Sequence, residues 1–342
     1  MNIDRQTLTE LFKAFTDKKV MVIGDIMVDS YVWGKVERIS PEAPVPVVSV
    51  EKREERLGGA ANVALNLQSL GAETLLCSVI GADRRGQDLM RLMTHAGLDR
   101  DGIIESGERR TTVKSRFIGN NAQLLRVDEE STHILNDFVF KQLSEKIEQI
   151  LKDRKVDAII FQDYDKGVIS PALIDFVNEK AGALKIPVMV DPKKRNFLAY
   201  HNVTLFKPNL KEIKEGLNLN SVPADLESIR DASKKLLEKL NVSMILNTLS
   251  EKGVYILWNE NGTQKDKLVP AHRRNVADVS GAGDTVISVA ALCISHGLNP
   301  EDTALLSNLA GGLVCEEVGV VPVNKEKLFE EALLLVDRGR SK

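Results

Sequence analysis

One short turn combines a carboxylate with residues that leave the backbone open. In Ser280-Gly-Ala-Gly-Asp-Thr285, the small residues Gly281, Ala282 and Gly283 precede Asp284, and an apolar run follows, which places the turn at the start of a predicted helix. Free N–H groups and the positive dipole end of such a helix favour a phosphate. Asp284 can accept the proton of an attacking hydroxyl. The turn therefore suits phosphoryl transfer, which depends on positioning and charge stabilisation. The alternative is a structural turn in which Asp284 caps the helix.

Two other phosphate-binding motifs do not fit the spacing. The chain holds no Gly-x-x-x-x-Gly-Lys-Ser/Thr segment, which excludes a P-loop. The segment Gly281-Ala-Gly283 lacks the third glycine of a dinucleotide-binding fingerprint and lies far from the first predicted strand. A phosphate would then bind at the helix N-terminus itself.

The elements around this turn alternate along the chain. Short apolar runs predict strands at 19–23, 74–80, 157–161, 187–190, 205–207, 243–247, 254–258 and 267–269. Periodic stretches predict helices at 59–70, 87–96, 136–151, 172–183 and 224–240, and two more after Gly281 and Asn299. This order predicts an α/β fold with a mostly parallel sheet. Ligands of such sheets bind beyond the carboxyl ends of the strands, where Asp25, Asp163 and Asp191 are expected.

Two β-rich insertions interrupt the alternation. Residues 31–57 contain Pro41, Pro44 and Pro46, and residues 111–127 show a hairpin pattern around Gly119-Asn-Asn121. Because proline is excluded from central strands, we expect both insertions to lie outside the main sheet, as a lid on a single domain that spans 1–342. Exposed strand edges invite pairing with another chain, so the sequence predicts a homodimer through the lid.

Composition argues against several other classes of protein. The 342 residues are 43% hydrophobic and 28% charged, which is typical of a globular chain. A net charge of -3 predicts neither a nucleic-acid partner nor a membrane surface. The charged N-terminus lacks an apolar signal core and no apolar run is long enough to cross a membrane, so we expect a cytoplasmic protein. The cysteines and histidines show no metal-ligand spacing.

Two segments resemble the signatures of one enzyme family. Asp278-Val-Ser-Gly-Ala-Gly-Asp-Thr285 is similar to the C-terminal signature of the ribokinase-like (PfkB) carbohydrate kinases, and Leu57-Gly-Gly-Ala-Ala-Asn-Val63 is similar to their N-terminal glycine signature. Both occur in the order and at about the separation seen in the family. The resemblance implies a three-layer α/β/α ribokinase-like fold with a small β lid. It also implies an ATP-dependent, magnesium-requiring sugar kinase with Asp284 as catalytic base, assisted by Gly281, Ala282 and Gly283.

Further segments resemble the heptose-7-phosphate kinase branch of this family. They are Gly24-Asp-Ile-Met-Val-Asp29, the stretch 33–46, Gln162-Asp-Tyr-Asp-Lys-Gly-Val168 and Asp191-Pro-Lys193. This resemblance implies phosphorylation of O1 of D-glycero-D-manno-heptose 7-phosphate, for ADP-heptose and lipopolysaccharide core synthesis. The kinase is often fused to an adenylyltransferase, but no His-x-Gly-His motif is present, so we expect the kinase alone. The alternatives are a kinase of unphosphorylated sugars and a non-catalytic sugar-binding protein on the same fold.

The resemblance also assigns substrate and nucleotide residues. It implies that the sugar contacts Asp25, Asp29, Gly58, Gly59 and Asn62, and that ATP contacts Asn209, Glu212, Thr248 and Asn308, with Glu212 positioning magnesium through water. Parts of the family carry a monovalent cation near Asp278 and Val318-Gly319. The distal phosphate needs cations, for which Lys114, Arg116, Lys166 and Lys193-Lys-Arg195 are candidates. Arg116 and Lys193 are preferred among them.

Overall fold

A long mixed sheet forms the centre of the molecule. The computed structural model describes residues 1, 3–223, 225–272 and 274–340. Nine strands form the main sheet in the order β13-β12-β11-β10-β9-β8-β1-β4-β5. Their bounds are β1 Lys19–Gly24, β4 Glu73–Gly81, β5 Ile103–Ser106, β8 Ala158–Gln162, β9 Val188–Asp191, β10 Leu205–Phe206, β11 Met244–Thr248, β12 Val254–Glu260 and β13 Thr263–Val269. The strands from β5 to β11 pair in parallel, and β12 and β13 complete the sheet in antiparallel.

Helices cover both faces of the main sheet. They are α1 Arg5–Ala14, α2 Ala60–Ser69, α3 Arg84–His95, α4 Asp137–Asp153, α5 Pro171–Leu184, α6 Leu210–Gly216, α7 Leu226–Leu240, α8 Ala282–Ser295, α9 Pro300–Val314 and α10 Lys325–Arg340. In β1, Val20 and Val22 join the apolar cluster that includes α2, α8 and α9, whereas Met21 and Ile23 join the cluster of α4, α5 and α7. Successive side chains of a strand point to opposite faces. The central strand is therefore buried on both sides, and the predicted three-layer α/β/α fold is confirmed.

The lid forms a separate sheet of four strands, β3-β2-β6-β7. The strands are β2 Ile26–Ile39, β3 Pro46–Gly59, β6 Thr112–Gly119 and β7 Ala122–Glu129, so they extend beyond the predicted limits of 31–57 and 111–127. The predicted turn between β6 and β7 is present, because Asn120 and Asn121 have φ of 52° and 64°, the left-handed region that a tight hairpin turn requires. We call these four strands the lid sheet.

Most predicted elements of the main domain lie within a few residues of their observed bounds. The helix predicted at 224–240 begins at Leu226, and Ala224 lies outside the described residues. Helices α1, α6 and α10 and the edge strand β5 were not predicted. The side chain of Asp4 caps α1 by accepting from Thr7 N, and Asn209 and Glu212 cap α6. These short caps are the sequence signals that could have predicted both helices.

Candidate active site

Polar side chains form a row where neighbouring strands of the main sheet end. Gln162 ends β8 and is paired in register with Gly24 of β1 and with Asp191 of β9. The next strand, β10, is followed by Lys207, and β11 ends at Thr248. The carboxyl ends of parallel strands meet at one edge of a sheet, and this is where ligands bind in such folds. The row therefore defines the candidate active site.

Asp284 stands in the first turn of α8 above this row. Gly281 precedes the helix with φ of 80°, a conformation that favours glycine. The Asp284 carboxylate is buried and accepts hydrogen bonds from Asn62 Nδ2 at 2.7 Å, Gln162 Nε2 at 3.1 Å and Tyr164 Oη at 2.9 Å. These donors come from α2 and from the end of β8 with the loop that follows it, so two segments distant in sequence fix one carboxylate.

Burial raises the pKa of Asp284 to about 6, although the hydrogen bonds from Asn62 and Tyr164 act to lower it. The charge of Asp191 adds to the rise. Tyr164 itself keeps its proton, because burial and the neighbouring Asp284 charge raise its pKa well above the ordinary value. A carboxylate with a pKa close to neutrality is suited to accept a proton from a substrate hydroxyl.

A buried ion pair lies beside the glycine-rich turn. Lys207 Nζ is 3.0 Å from Asp191 Oδ2, and both side chains are almost wholly enclosed. Gln162 Nε2 also donates to Asp191 Oδ2 at 3.1 Å, so it joins this pair to Asp284. A Cβ at Gly283 would lie 3.5 Å from Lys207 Nζ. Lys207 therefore adds a positive charge next to the first turn of α8.

Gln162, Tyr164 and Lys207 were not predicted as site residues. Each ends a strand or follows directly after one, which is the signal that could have identified them. What the sequence does not show is which strand ends are neighbours.

The Asn-x-x-Glu segment forms a reciprocal cap on α6. Asn209 Oδ1 accepts from Glu212 N, and Glu212 Oε2 accepts from Asn209 N, both at 2.9 Å. The other carboxylate oxygen of Glu212 pairs with Lys193. Burial and the charge of Asp191 raise the pKa of Glu212. Burial lowers the pKa of Lys193, but the charges of Asp191 and Glu212 outweigh it and raise the value. Lys193 thus lies with the predicted nucleotide residues.

Asp25 accepts hydrogen bonds from the loop that follows β8. It is 1% exposed, and its carboxylate accepts from the backbone N–H groups of Tyr164, Lys166 and Val168 at 2.9 to 3.1 Å. These bonds hold the loop that carries Tyr164. The predicted contact of Asp25 with sugar hydroxyls stays a prediction, and the structure adds a positioning role.

Asp29 is paired within the lid sheet. Its Oδ1 lies 2.6 Å from Arg116 NH1, so the predicted sugar ligand and the predicted phosphate ligand neutralise each other. A Cβ at Gly58 would lie 2.1 Å from Asp29 Oδ2, which shows why that position has no side chain. At Gly59, φ is 62° and a Cβ would lie 2.3 Å from the carbonyl oxygen of Asp25. The two glycines therefore allow the lid sheet to join α2 close to both aspartates.

The remaining candidate cations also make contacts within the protein. Lys166 Nζ lies 2.8 Å from Glu130 Oε2, and Arg195 NH1 donates to the carbonyl of Thr132 at 2.5 Å. Lys114 Nζ lies 5.3 Å from the centre of the Tyr164 ring.

A cavity of about 430 Å³ lies beside the predicted nucleotide residues. Its lining includes Leu249, which follows Thr248, and Pro270, whose carbonyl accepts from Asn308 Nδ2 at 2.9 Å. Thr248 also bridges to Asn209 across the ends of the strands. Thr248 and Asn308 do not line this cavity themselves, but each is next to a residue that does.

The segment predicted to hold a monovalent cation contains internal hydrogen bonds. Asp278 accepts from Ser280 N and Ser280 Oγ at 3.0 and 2.9 Å and from Gly319 N at 3.0 Å. Arg56 of the lid sheet donates to the carbonyls of Val318 and Val320 at 3.4 and 3.2 Å. This loop is therefore a contact between the lid sheet and the main domain.

Comparisons with known proteins identify the family of the chain. The model of the pfkB family carbohydrate kinases matches residues 17–327. The Bifunctional protein HldE of Methylobacillus flagellatus is 40% identical over 312 residues, which cover 91% of this chain and 62% of the relative. The protein of the same name in Citrifermentans bemidjiense is 38% identical over 333 residues, or 96% and 66%. The chain thus spans about two thirds of the length of the curated relatives it matches.

Solved structures share the fold at low sequence identity. Phosphofructokinase-2 from Escherichia coli in complex with potassium gives a TM-score of 0.75 at 18% identity and covers 94% of this chain and 99% of its own. Arabidopsis thaliana ribokinase complexed with ribose and ATP gives 0.68 at 18% identity, covering 92% and 98%.

The fold and the site define an ATP-dependent carbohydrate kinase of the ribokinase-like class. More specifically, the chain belongs to the pfkB family, whose model covers most of its length. Kinases of this family use ATP and Mg²⁺. Among the residues that the structure describes, no helix combines the length and apolarity needed to cross a membrane.

Proposed function

We propose that the protein transfers the γ-phosphoryl group of ATP to O1 of D-glycero-D-manno-heptose 7-phosphate, giving heptose 1,7-bisphosphate. The observation that carries the kinase chemistry is the buried Asp284, fixed by Asn62, Gln162 and Tyr164 at the start of α8. The assignment of heptose 7-phosphate as the substrate is supported by the lid segment 33–46 and by the strand-end segments, which resemble the heptose-7-phosphate kinase branch. The product serves ADP-heptose and lipopolysaccharide core synthesis.

Asp284 acts as the base in this proposal. The O1 hydroxyl attacks the γ-phosphorus, the bond from phosphorus to the β–γ bridging oxygen breaks, ADP leaves, and Asp284 takes the hydroxyl proton. The N–H groups that begin α8 at Ala282 and Gly283, together with Lys207, stabilise the negative charge on the transferring group. The ion pair with Asp191 positions Lys207 for this role.

The site fits a magnesium ion held mainly by phosphates and water. Within the described part of the chain, no cluster of three or more His, Cys, Asp or Glu side chains forms a metal cage. Glu212 and Asp191 are the nearby carboxylates, and each is balanced by a lysine. Magnesium keeps several waters and binds few protein groups in kinases. When bound, it would neutralise charge on the ATP phosphates, with Glu212 positioning its waters.

ATP is proposed to occupy the cavity beside Thr248 and Asn308, with its phosphates directed towards Asn209 and the turn at Gly281. The sugar is proposed to lie between the lid sheet and Asp284, where Asp29, Gly58 and Gly59 line its approach. Asn62 donates one of its two amide N–H bonds to Asp284 and so also orients that carboxylate, while its contact with the sugar stays a prediction. A monovalent cation near Asp278 remains a proposal.

The assembly is proposed to be a homodimer through the lid sheet, in the cytoplasm. Leu125 and Val127 support this, because these apolar side chains of β7 are 56% and 41% exposed. Contiguous exposed apolar surface commonly marks a protein interface.

Steady-state kinetics with heptose 7-phosphate, the same heptose without phosphate, ribose and fructose test the substrate. A kcat/KM highest for heptose 7-phosphate supports the proposal. A higher value for any unphosphorylated sugar removes the heptose-phosphate assignment and leaves a different sugar kinase. Absence of ATP turnover with all of them would favour a sugar-binding protein.

A further inference from the structure

One face of the lid sheet is lined with charged and aromatic side chains. In register, Asp29 of β2 lies opposite Lys114 of β6, which lies opposite Asp128 of β7. Two residues further along the strands, Tyr31 lies opposite Arg116 and Arg116 opposite Arg126. Because side chains alternate along a strand, these residues share one face, which we call the charged face. Lys114 contacts the ring of Tyr164, so this face is directed towards the active site.

The carboxylates of the charged face already have cationic partners. Asp29 pairs with Arg116 at 2.6 Å, and Asp128 pairs with Arg126 at 2.8 Å. On β3, Glu54 pairs with both Lys52 and Arg56. A carboxylate with a close arginine has little remaining attraction for another cation. The pairing therefore consumes the negative charge of this face.

Lys114 is the exception in this arrangement. Its side chain is half-buried, and no carboxylate in the described ranges lies within 4.0 Å of its Nζ, nor does any described acceptor bond it. Burial lowers the pKa of Lys114, while the more distant Asp29 only partly offsets this. The ammonium of Lys114 thus contacts an aromatic ring but pairs with no carboxylate in the described ranges, which leaves it able to bind an anion. Lys114 contacts the ring of Tyr164, whose hydroxyl bonds Asp284. An anion bound by Lys114 would therefore belong to the substrate in the active site.

Three of the other candidate cations are paired with carboxylates. Arg116 is neutralised by Asp29, Lys166 by Glu130, and Lys193 by Glu212. Lys193 Nζ also lies near the Tyr164 ring, 5.6 Å from its centre, but it is paired with Glu212 of α6, whereas Lys114 lies on the lid sheet. Arg116 and Lys193 stay predicted phosphate ligands, but each already has a carboxylate partner.

We propose that Lys114 binds the phosphate group carried by the sugar and so selects a phosphosugar over a plain sugar. This inference rests on the proposed function, because it needs a phosphorylated substrate in the same site. Tyr164 joins the two ends of that substrate, since its ring contacts Lys114 and its hydroxyl bonds Asp284. We therefore expect the spacing between Asp284 and Lys114 to match the length of the substrate from its acceptor hydroxyl to its phosphate.

The test compares Lys114→Met with the wild-type enzyme on heptose 7-phosphate and on the same heptose without phosphate. Loss of one charge-assisted contact should lower kcat/KM for the phosphosugar by about 10-fold to 100-fold. The plain sugar and the KM for ATP should be unchanged. Lys114→Arg should keep most of the discrimination. Because the lysine has no ion pair to lose, Lys114→Met should unfold at a temperature no lower than the wild type.

Lys52→Met is the matched control, because Lys52 lies on the charged face but is exposed and paired with Glu54. It should leave both sugars unaffected. If the wild type does not prefer the phosphosugar, the proposed function fails and this inference with it. If the wild type prefers it and Lys114→Met keeps that preference, or raises only the KM for ATP, the inference alone is overturned.

Discussion

Tyr164→Phe removes one hydrogen bond from the proposed base and leaves the ring in place. The Tyr164 hydroxyl donates to Asp284 Oδ1 at 2.9 Å, and this bond holds the pKa of Asp284 below the value that burial alone would give. A hydrogen bond to a charged group contributes about 1.5–3 kcal/mol, and one pKa unit corresponds to about 1.36 kcal/mol. Asn62 and Gln162 still donate, so we take the lower end and expect a rise of about one unit.

The pH dependence of kcat/KM measures this shift directly. The base must be ionised, so activity is lost as the pH falls through the pKa of Asp284, which is about 6 in the wild type. With the pKa raised by about one unit, the ionised fraction at pH 6 falls from about one half to about one tenth. Tyr164→Phe should therefore lose about five-fold at pH 6 and almost nothing at pH 9. The assay is ADP release at subsaturating sugar across this pH range.

Asp163 makes a control necessary, because burial and the nearby charge of Asp25 raise its pKa to about 6 as well. Tyr200 donates to Asp163 Oδ2 at 2.8 Å, as Tyr164 does to Asp284. Tyr200→Phe is thus the same chemical change at a different aspartate. It should not shift the pH at which kcat/KM falls on the acid side of the profile, which we call the acid limb. An acid limb that moves with Tyr200→Phe and not with Tyr164→Phe would refute the assignment of Asp284 as the titrating base.

Three further predictions concern the base, the lid and the assembly. Asp284→Asn should lower kcat by orders of magnitude with little change in sugar binding; it should also reduce the fall in melting temperature between pH 5 and pH 8, because a pKa raised on folding favours the native state only at low pH. Gly58→Ala should displace Asp29 and raise the KM for the sugar, whereas Gly107→Ala, where a Cβ meets nothing within 4 Å, should have no effect in the same assay. Leu125→Lys should shift the protein from dimer to monomer in sedimentation at micromolar concentration, and a wild-type monomer would contradict the lid interface.

The sequence predicts the inner strands of the main sheet well because these strands are buried on both faces. The apolar runs of β1 and β8 have no polar interruption, and each is followed by a polar residue that marks the edge of the sheet. The edge strand β5 is only four residues long and partly exposed, so it lacks that pattern. Strand type therefore follows from local sequence where burial is complete.

The pairing of side chains could not be predicted in the same way. Asp191 and Lys207 face each other because β9 and β10 are neighbours in register, with Val190 opposite Phe206. The sequence marks both strand ends but not their order in the sheet. Likewise, Arg116 looks available for a phosphate until Asp29 is found beside it across β2 and β6. Charge along the chain indicates which residues can bind an anion, and only tertiary pairing shows which of them still can.

The lid sheet continues directly into segments that hold Asp284 through hydrogen bonds, and this bears on how the proposed site works. Strand β2 begins at Ile26, directly after Asp25, and β3 ends at Gly59, where α2 begins. Helix α2 then carries Asn62, which donates to Asp284. A sugar that binds the lid sheet would therefore contact strands that continue directly into Asp25 and into α2, the two segments that help to hold Asp284. We therefore expect substitutions at the junctions of the lid sheet with Asp25 and with α2 to change kcat, whereas substitutions at exposed lid positions such as Lys52 should not.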